Sequence, residues 1–201
     1  MAAMAWVEAI SLHGPGADLE PLTMAHLDDL IDSVKDGELW NLWYTTIPRP
    51  EAMRAEIDRR LRLQSEGSMM PFAVLDPKAR KAVGMTTYMH IDAVNRRLEI
   101  GSTWVRRSMQ RTPINTQCKL LLLTHAFEVL GCIGVEFRTH FFNQQSRRAI
   151  ERLGAKLDGV LRQHQRASDG SLRDTCVYSV IASEWPGVKS HVSWQLAKPR
   201  Q

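Results

Sequence analysis

The chain has 201 residues, of which 44% are hydrophobic and 24% charged, a composition typical of a packed protein rather than a disordered chain. Lys and Arg number 26 against 22 Asp and Glu, and they recur along the whole chain, so no concentrated nucleic-acid-binding stripe is expected. No segment approaches the roughly 20 apolar residues that a membrane helix needs, so no membrane partner is expected. We therefore expect a single domain over residues 1–201.

The cysteines and the N-terminal segment narrow the class further. Cys118, Cys132 and Cys176 lie far apart within apolar stretches, which argues against a disulfide framework and against a metal site. Residues 1–10 lack the basic head and apolar middle of a secretory signal, so the cytoplasm is the expected compartment.

The first part of the chain predicts a short strand followed by two helices. The apolar segment that ends at Leu12 precedes the turn-forming residues 13–17. Apolar residues then recur at helical spacing after Thr23, which is placed to cap the first turn. A second helix is expected from Pro50 to Gly67, because proline suits the first helical position.

The remainder of the chain alternates strands and helices. Three strand-like runs predict an antiparallel meander at residues 71–75, 82–91 and 98–105. The segments after them predict a helix over 116–130, a strand over 135–139, a helix from Asn143 to Leu153, and strands over 157–165 and 171–182 joined by the turn 167–170. This order predicts an α+β fold around a mixed sheet.

The strand that ends at Val105, the polar loop after it and the helix from Thr116 form a candidate anion site. A helix N-terminus presents free backbone N–H groups and positive charge, which suit a pyrophosphate. Arg106, Arg107 and Arg111 could add charge there. A solvated surface cluster is an equally good interpretation of these three arginines.

Two blocks of sequence resemble the GNAT superfamily of N-acetyltransferases. Residues 99–105, Glu-Ile-Gly-Ser-Thr-Trp-Val, with residues 110–116 and the helix after them, look like the family's central acetyl-CoA-binding unit. Residues 143–146, Asn-Gln-Gln-Ser, and the Leu-Gly turn at 153–154 resemble its Asn-x-x-Ser helix. The nearest branch is that of ribosomal-protein N-terminal acetyltransferases. The resemblance covers about residues 19–185 and leaves 186–201 as a C-terminal tail.

The resemblance implies the GNAT acyl-CoA N-acyltransferase fold, a mixed and mostly antiparallel sheet with flanking helices and a splayed central strand. It also implies acetyl-CoA as co-substrate, without a metal. The residues expected to bind it are Trp104, Val105, Gln110, Arg111, Thr112, Asn115, Thr116, Asn143 and Ser146. The backbone of Trp104 and Val105 would pair with the pantetheine arm as an added strand.

The loop departs from the family pattern because Pro113 and Asn115 replace its two small residues. Asn115 is expected to accept the left-handed backbone angles that glycine usually takes. Pro113 removes one N–H that could bind phosphate. Arg111 and the hydroxyls of Thr112 and Thr116 are expected to compensate.

Three residues are candidates for catalysis by direct attack of the amine on the thioester. The attacking amine must be neutral, so a base or a water chain must remove its proton. Glu99 on the central strand and His164 near the end of the penultimate strand are candidate bases, and each has a surface alternative. Ser146 matches a family position proposed to protonate the leaving thiolate, and a local hydrogen bond is its alternative role.

Three further residues are weaker candidates for the base: Asp174, Tyr88 and His90. Asp174 is expected to form an ion pair beside Arg173, whereas Tyr88 and His90 should share one face of their strand.

The acceptor stays open at this point between a small-molecule amine and a protein N-terminus, as does the oligomeric state, for which a homodimer is one option. Trp40, Trp43 and Tyr44 either line an acceptor pocket or pack in the core. A non-catalytic acyl-CoA-binding regulator is the alternative on the same fold. A basic nucleic-acid-binding protein is a further alternative, which would use Arg106, Arg107, Arg111, Arg147 and Arg148.

Overall fold

Eight strands form one sheet in the computed structural model, which describes residues 6–167 and 169–198. The strands are β1 Leu12–Gly14, β2 Ala17–Pro21, β3 Met69–Asp76, β4 Lys81–Asp92, β5 Arg97–Val105, β6 Gly134–His140, β7 Lys156–Arg166 and β8 Leu172–Ile181. The helices are α1 Leu27–Lys35, α2 Met53–Ser65, α3 Ile114–Thr124, α4 Gln144–Arg152 and α5 Trp185–Ala197. The start of the segment tested for a secretory signal, Ser168 of the predicted turn and the last residues of the tail lie outside the described residues.

Helices cover both faces of the sheet. The strand order is β1-β2-β3-β4-β5-β6-β8-β7, and every neighbouring pair is antiparallel except β5 with β6. Leu30 of α1 and Ile57 of α2 pack with Met85 and Trp104 on one face. Leu122 of α3 packs in a second core on the other face, together with α5. This mixed, mostly antiparallel sheet with flanking helices confirms the predicted fold class.

The parallel strands β5 and β6 stay together for only three residue pairs, from Arg97 with Gly134 to Glu99 with Glu136. Beyond Glu99 the two strands part. The register between β4 and β5 is irregular at two places in this region. Strand β5 carries an extra residue near Ser102, which has a φ of 47°, and β4 carries one near His90, which has a φ of 46°. A bulge of this kind bends its strand and increases the local twist. The splayed central strand that the family resemblance implies is therefore present in the sheet.

The meander of β3 to β5 and the paired strands β7 and β8 match the sequence prediction, whereas two elements were missed. Strand β2 contains Asp18 and Pro21, and strands are poor in both residue types. Helix α5 begins with Trp185, Pro186 and Gly187, and most of it lies in residues 186–201, which were expected to be a C-terminal tail with no predicted element. Proline is favoured in the first helical turn, so Pro186 is compatible with this helix start. None of the described helices is long and apolar enough to cross a bilayer.

The helix expected over residues 116–130 is also corrected by the structure. Helix α3 begins at Ile114 and continues beyond Thr124 as a π-helical turn, His125–Val129. The earlier start shortens the loop after β5 and brings the N-terminus of α3 close to the end of that strand.

Candidate active site

A cleft opens where β5 leaves β6, and among the strands that the structure describes, none pairs with that edge of β5 there. Residues 101–105 pair with β4 alone. The carbonyl of Val105 accepts a hydrogen bond from Nε2 of Gln110 at 3.2 Å. Gln145 of α4 donates to Oε1 of Gln110 at 3.3 Å, which joins the start of α4 to the same loop. The free strand edge, the loop and the N-terminus of α4 therefore meet.

The loop from Arg106 to Pro113 contains no glycine, and a residue other than the predicted one adopts the left-handed backbone conformation. Asn115 lies inside α3, and Arg111 is the residue with left-handed backbone, at a φ of 62°. Pro113 is the N-cap of α3, where its missing N–H leaves the helical hydrogen bonds intact. Thr112 donates to the carbonyl of Met109 at 2.7 Å and so tightens the turn.

The N-terminus of α3 presents backbone donors at the mouth of this loop. The first N–H groups of a helix have no intrahelical acceptor, and in α3 those of Asn115 and Thr116 belong to that first turn. Of the arginines considered for an anion, Arg106 instead binds Asp36 at 2.7 Å and ties the loop to the segment after α1. Hydrogen bonds from Ser108 and Arg106 hold the pKa of Asp36 below its ordinary value.

Two cavities flank the loop. One, of about 310 Å³, lies between the segment after α1 and the start of α4, and Gln110 and Gln145 line it. The other, of about 450 Å³, lies between α3 and α5, and Thr112 and Thr116 line it. Arg111 borders both cavities. The loop expected to hold pyrophosphate thus lies between the two cavities.

Helix α4 faces the cleft with its first turn. The side chain of Asn143 caps the helix by accepting the Ser146 N–H at 3.0 Å. Within the described chain, the Ser146 hydroxyl has no hydrogen-bond partner, and the side chain is half-buried. Arg147 is engaged structurally, because its Nε donates to the Tyr178 hydroxyl at 3.0 Å.

Glu99 lies at the point where β5 and β6 separate, and its carboxylate is buried. Its residue exposure is 5%, and Oε2 lies 2.8 Å from Nδ1 of His90 and 3.6 Å from Nε of Arg138. Burial raises the pKa of Glu99, while His90 and Arg138 oppose that rise. A Cβ atom at Gly101 would stand 2.6 Å from Oε1 of Glu99, so the glycine keeps the space beside the carboxylate clear.

His90 connects this buried carboxylate to solvent, since 64% of its side chain is exposed. The expectation that Tyr88 and His90 share a face was wrong. His90 has a φ of 46° beside an irregularity in the β4–β5 register, and this turns it toward Glu99. Tyr88 is buried and donates to the carbonyl of Leu122 at 2.6 Å.

Cations outnumber carboxylates beside Glu99. Arg97 and Arg138 both bind Glu136, at 3.0 and 2.9 Å. Arg173 lies close enough to Glu99 for the two charges to interact. Among the described residues, the buried Nε of Arg173 has no hydrogen-bond partner. An ammonium group in this cleft would meet a net positive environment, which favours its neutral form.

Aromatic side chains cluster just beyond the C-terminal end of β6. The ring of Trp43 lies 5.1 Å from that of His140 and 5.8 Å from that of Phe142. Trp43 and Phe142 are each 60% exposed, whereas Trp40 packs against the α1–α2 core. Trp43 therefore suits a pocket-lining role, and Trp40 suits the core role that was its alternative.

The structure does not bring His164 to Glu99 and Ser146. His164 lies on β7, and β6 and β8 separate that strand from β5. It is exposed, and its Nδ1 lies 3.2 Å from the hydroxyl of Thr175. Asp174 forms an ion pair as expected, but with Arg162 rather than with Arg173. Cys118 is buried in α3, and burial raises the pKa of its thiol to about 12, so it is unsuited to nucleophilic attack.

Sequence reasoning missed a buried lysine beneath the bulge of β5. Nζ of Lys119 donates to the hydroxyls of Thr103 and Thr86, at 2.7 and 3.1 Å. Its residue exposure is 5%, and burial lowers its pKa to about 8. This lysine fixes the bulge from below. Its position in an otherwise apolar helix gives no short-range sequence signal for that role.

Comparisons with known proteins place this chain in a family. The family described as "Acetyltransferase (GNAT) domain" matches residues 18–156. Over 106 residues the chain is 33% identical to the Bacillus subtilis (strain 168) protein named "Putative ribosomal N-acetyltransferase YdaF", and the match spans 53% of this chain and 57% of that protein.

Solved structures agree with that family. A GCN5-related N-acetyltransferase from Brucella melitensis is 31% identical, with a TM-score of 0.84 over 94% of this chain and 86% of that one. Mycobacterium smegmatis RimJ, solved in complex with CoA-disulfide, is 19% identical, with a TM-score of 0.77 over 93% of each chain, a level that shows the shared fold alone.

Replacing Lys119 with Met tests the cost of the buried charge. Below pH 8 the folded protein holds a charged Lys119, and the variant should be more stable by up to about 3 kcal/mol. As the pH rises from about 8 toward the ordinary lysine value, the folded form binds fewer protons than the unfolded form, so wild-type stability rises and the gap closes. Urea unfolding at pH 7 and pH 10 measures this gap. Lys78→Met, in an exposed turn, is the control, and a gap that does not depend on pH would contradict the interpretation.

Proposed function

Because the chain belongs to the GNAT acetyltransferase family, we propose that it transfers the acetyl group of acetyl-CoA to the N-terminal amine of a protein or peptide. The observation that carries the proposal is the unpaired edge of β5, which ends beside the N-termini of α3 and α4. An extended arm with amide groups pairs with such an edge, and a helix N-terminus receives a pyrophosphate. An acyl-CoA has both parts.

The backbone supports this binding mode better than the side chains do. Trp104 and Val105 offer edge carbonyl and N–H groups, and Asn115 and Thr116 offer N–H groups at the start of α3. Together these groups would hold the two halves of the co-substrate on either side of Gln110. The missing glycines do not weaken the site, because Arg111 supplies the left-handed turn.

Proton removal from the acceptor is assigned to Glu99 with His90. The ammonium loses its proton to Glu99, directly or through water, and His90 passes that proton to solvent from its exposed ring. A carboxylate with a raised pKa is a better base than an ordinary one. Arg138 and Arg173 favour the neutral amine in the same space.

The neutral amine then attacks the thioester carbonyl. Collapse of the adduct breaks the carbon–sulfur bond, and the proton that the adduct nitrogen releases replaces the one that Ser146 gives to the thiolate. Ser146 is assigned as the donor to the departing thiolate, because its hydroxyl is uncommitted and lies in the first turn of α4. The Ser146 N–H is already taken by Asn143, so the hydroxyl is the donor that this residue offers.

A protein or peptide acceptor fits the open mouth of the cleft. Trp43 and Phe142 stand exposed beside the C-terminal end of β6, where a chain could lie across them. The name of the B. subtilis relative also points to a ribosomal protein. A non-catalytic regulator would not need a buried carboxylate with a route to solvent. The nucleic-acid alternative is not favoured, because Arg106 and Arg147 are held by Asp36 and Tyr178.

Acetylation of a peptide panel tests the proposed reaction. With acetyl-CoA, mass spectrometry should find one acetyl group on peptides with a free N-terminus and none on the same peptides with a blocked N-terminus and an internal lysine. Acetyl-CoA should also raise the melting temperature, because it binds the native state. Acetylation of lysine or of polyamines alone would overturn the proposed acceptor. Absence of a thermal shift would overturn the co-substrate as well.

Replacing Glu99 with Gln should lower kcat by about 10² to 10⁴, because the base is lost while the shape is kept. Wild-type kcat/KM should rise with pH through the raised pKa of Glu99, and the variant should lose this inflection. The KM for acetyl-CoA should not change. Glu66→Gln, an exposed carboxylate after α2, is the control. A variant with the wild-type pH profile would reject Glu99 as the base.

Replacing Ser146 with Ala should reduce kcat by about tenfold or more while the affinity for acetyl-CoA stays the same, since the lost hydroxyl acts on the leaving group. Ser146→Thr, which keeps a hydroxyl, should retain more activity. Ser190→Ala, in the first half of α5, is the control for loss of a locally bonded serine. Steady-state kinetics measures kcat, and calorimetric titration measures the affinity for acetyl-CoA. An unchanged kcat in the alanine variant would reject Ser146 as the proton donor to the leaving thiolate.

A further inference from the structure

Helix α5 lies outside the segment that the family model matches, and it is docked beside the loop between β5 and α3. The match ends at residue 156, and α5 begins at Trp185. The Trp185 ring stacks on Phe127 at 5.2 Å, and its Nε1 donates to Glu128 at 2.8 Å. Val188 and Val192 are buried in the core. The position of this helix is therefore well determined.

The far end of α5 is also tied to α4. Nε2 of Gln195 donates to the carbonyl of Arg152 at 2.8 Å, and Val188 packs against Gly154. The neighbour of Gln195 is Trp194, which is 60% exposed although Lys198 lies over its ring at 5.3 Å. A large aromatic side chain is thus held in place at the surface, with most of its area uncovered.

Trp194 and Lys198 line the cavity of about 450 Å³, and so do Arg152 of α4 and the first residues of α3. Thr112 and Thr116 belong both to the wall of this cavity and to the proposed pyrophosphate site. A ligand with its pyrophosphate at the N-terminus of α3 therefore has one end at this space. Cavities of this size hold small molecules.

The lining of the cavity has a specific chemistry. A flat indole ring can stack on any nucleotide base, because every base has a planar π-face. Within the described residues, neither Arg152 nor Lys198 has a carboxylate partner. Two cations without a carboxylate partner, beside an aromatic face, suit a planar base that carries its own phosphate group.

We propose that α5 completes the acetyl-CoA site, with Trp194 stacked on the adenine and with Arg152 and Lys198 binding the 3′-phosphate. This inference rests on the proposed function, because it extends the same ligand beyond its pyrophosphate. It adds a nucleotide-recognising element beyond residues 18–156, the segment that the family model matches.

Calorimetric titration with CoA and with 3′-dephospho-CoA tests the proposal, because the two ligands differ only in that phosphate. Wild-type protein should bind CoA about tenfold or more tightly than dephospho-CoA. Arg152→Ala and Lys198→Ala should each weaken CoA by about tenfold and leave dephospho-CoA unchanged. Trp194→Ala should weaken both ligands by a similar factor, and Trp194→Phe should keep most of the affinity.

Arg148→Ala is the matched control, since Arg148 is an exposed arginine one turn earlier on α4 and does not line the cavity. Wild-type affinity for CoA in the Arg152, Lys198 and Trp194 variants would overturn the inference while the proposed function stands. Failure of the wild-type protein to bind acetyl-CoA would overturn both. A change of oligomeric state in Trp194→Ala with unchanged CoA affinity would instead assign the exposed ring to a subunit contact.

Discussion

The three residue pairs that join β5 to β6 are the constraint on which the site depends. They hold the two halves of the sheet together and then release the strands, so one edge of β5 is left free at its C-terminal end. The bulge at Ser102 bends β5 away, and Gly84 lets β4 follow, because a Cβ atom there would stand 2.1 Å from the carbonyl of Trp104. Lys119 supports the bulge from the opposite face through Thr103 and Thr86.

The electrostatics of the cleft follow from the same divergence. Glu99 is the last residue of β5 that pairs with β6, so its side chain is buried among the strands while the space ahead of it is open. Burial disfavours the charged carboxylate and raises the pKa of Glu99, and His90 and Arg138 oppose part of that rise. The balance leaves a group that can exchange a proton, and His90 gives it access to solvent.

Much of the fold could be predicted from the sequence, because hydrophobic alternation and turn residues are local signals. The β3 to β5 meander and the Asn143 cap of α4 follow from such signals. The site was less readable because it depends on bulges. A bulge shifts side chains by one residue, so His90 faces Glu99 although alternation placed it beside Tyr88. The same limit applies to Arg111, whose left-handed backbone had been assigned to Asn115.

Residues from distant segments were the hardest to predict. Arg138, Arg173 and Gln145 reach the cleft through strand order and helix docking, which no local pattern encodes. Helix α5 is different, since Trp185, Val188 and Val192 carried a helical spacing that its Pro-Gly start obscured.

The free edge of β5 has a consequence for the protein in the cell. A ligand that fills the gap as a missing strand stabilises the fold by an amount that rises with the logarithm of its concentration above Kd, so the lifetime of the protein against proteolysis would follow the supply of that metabolite.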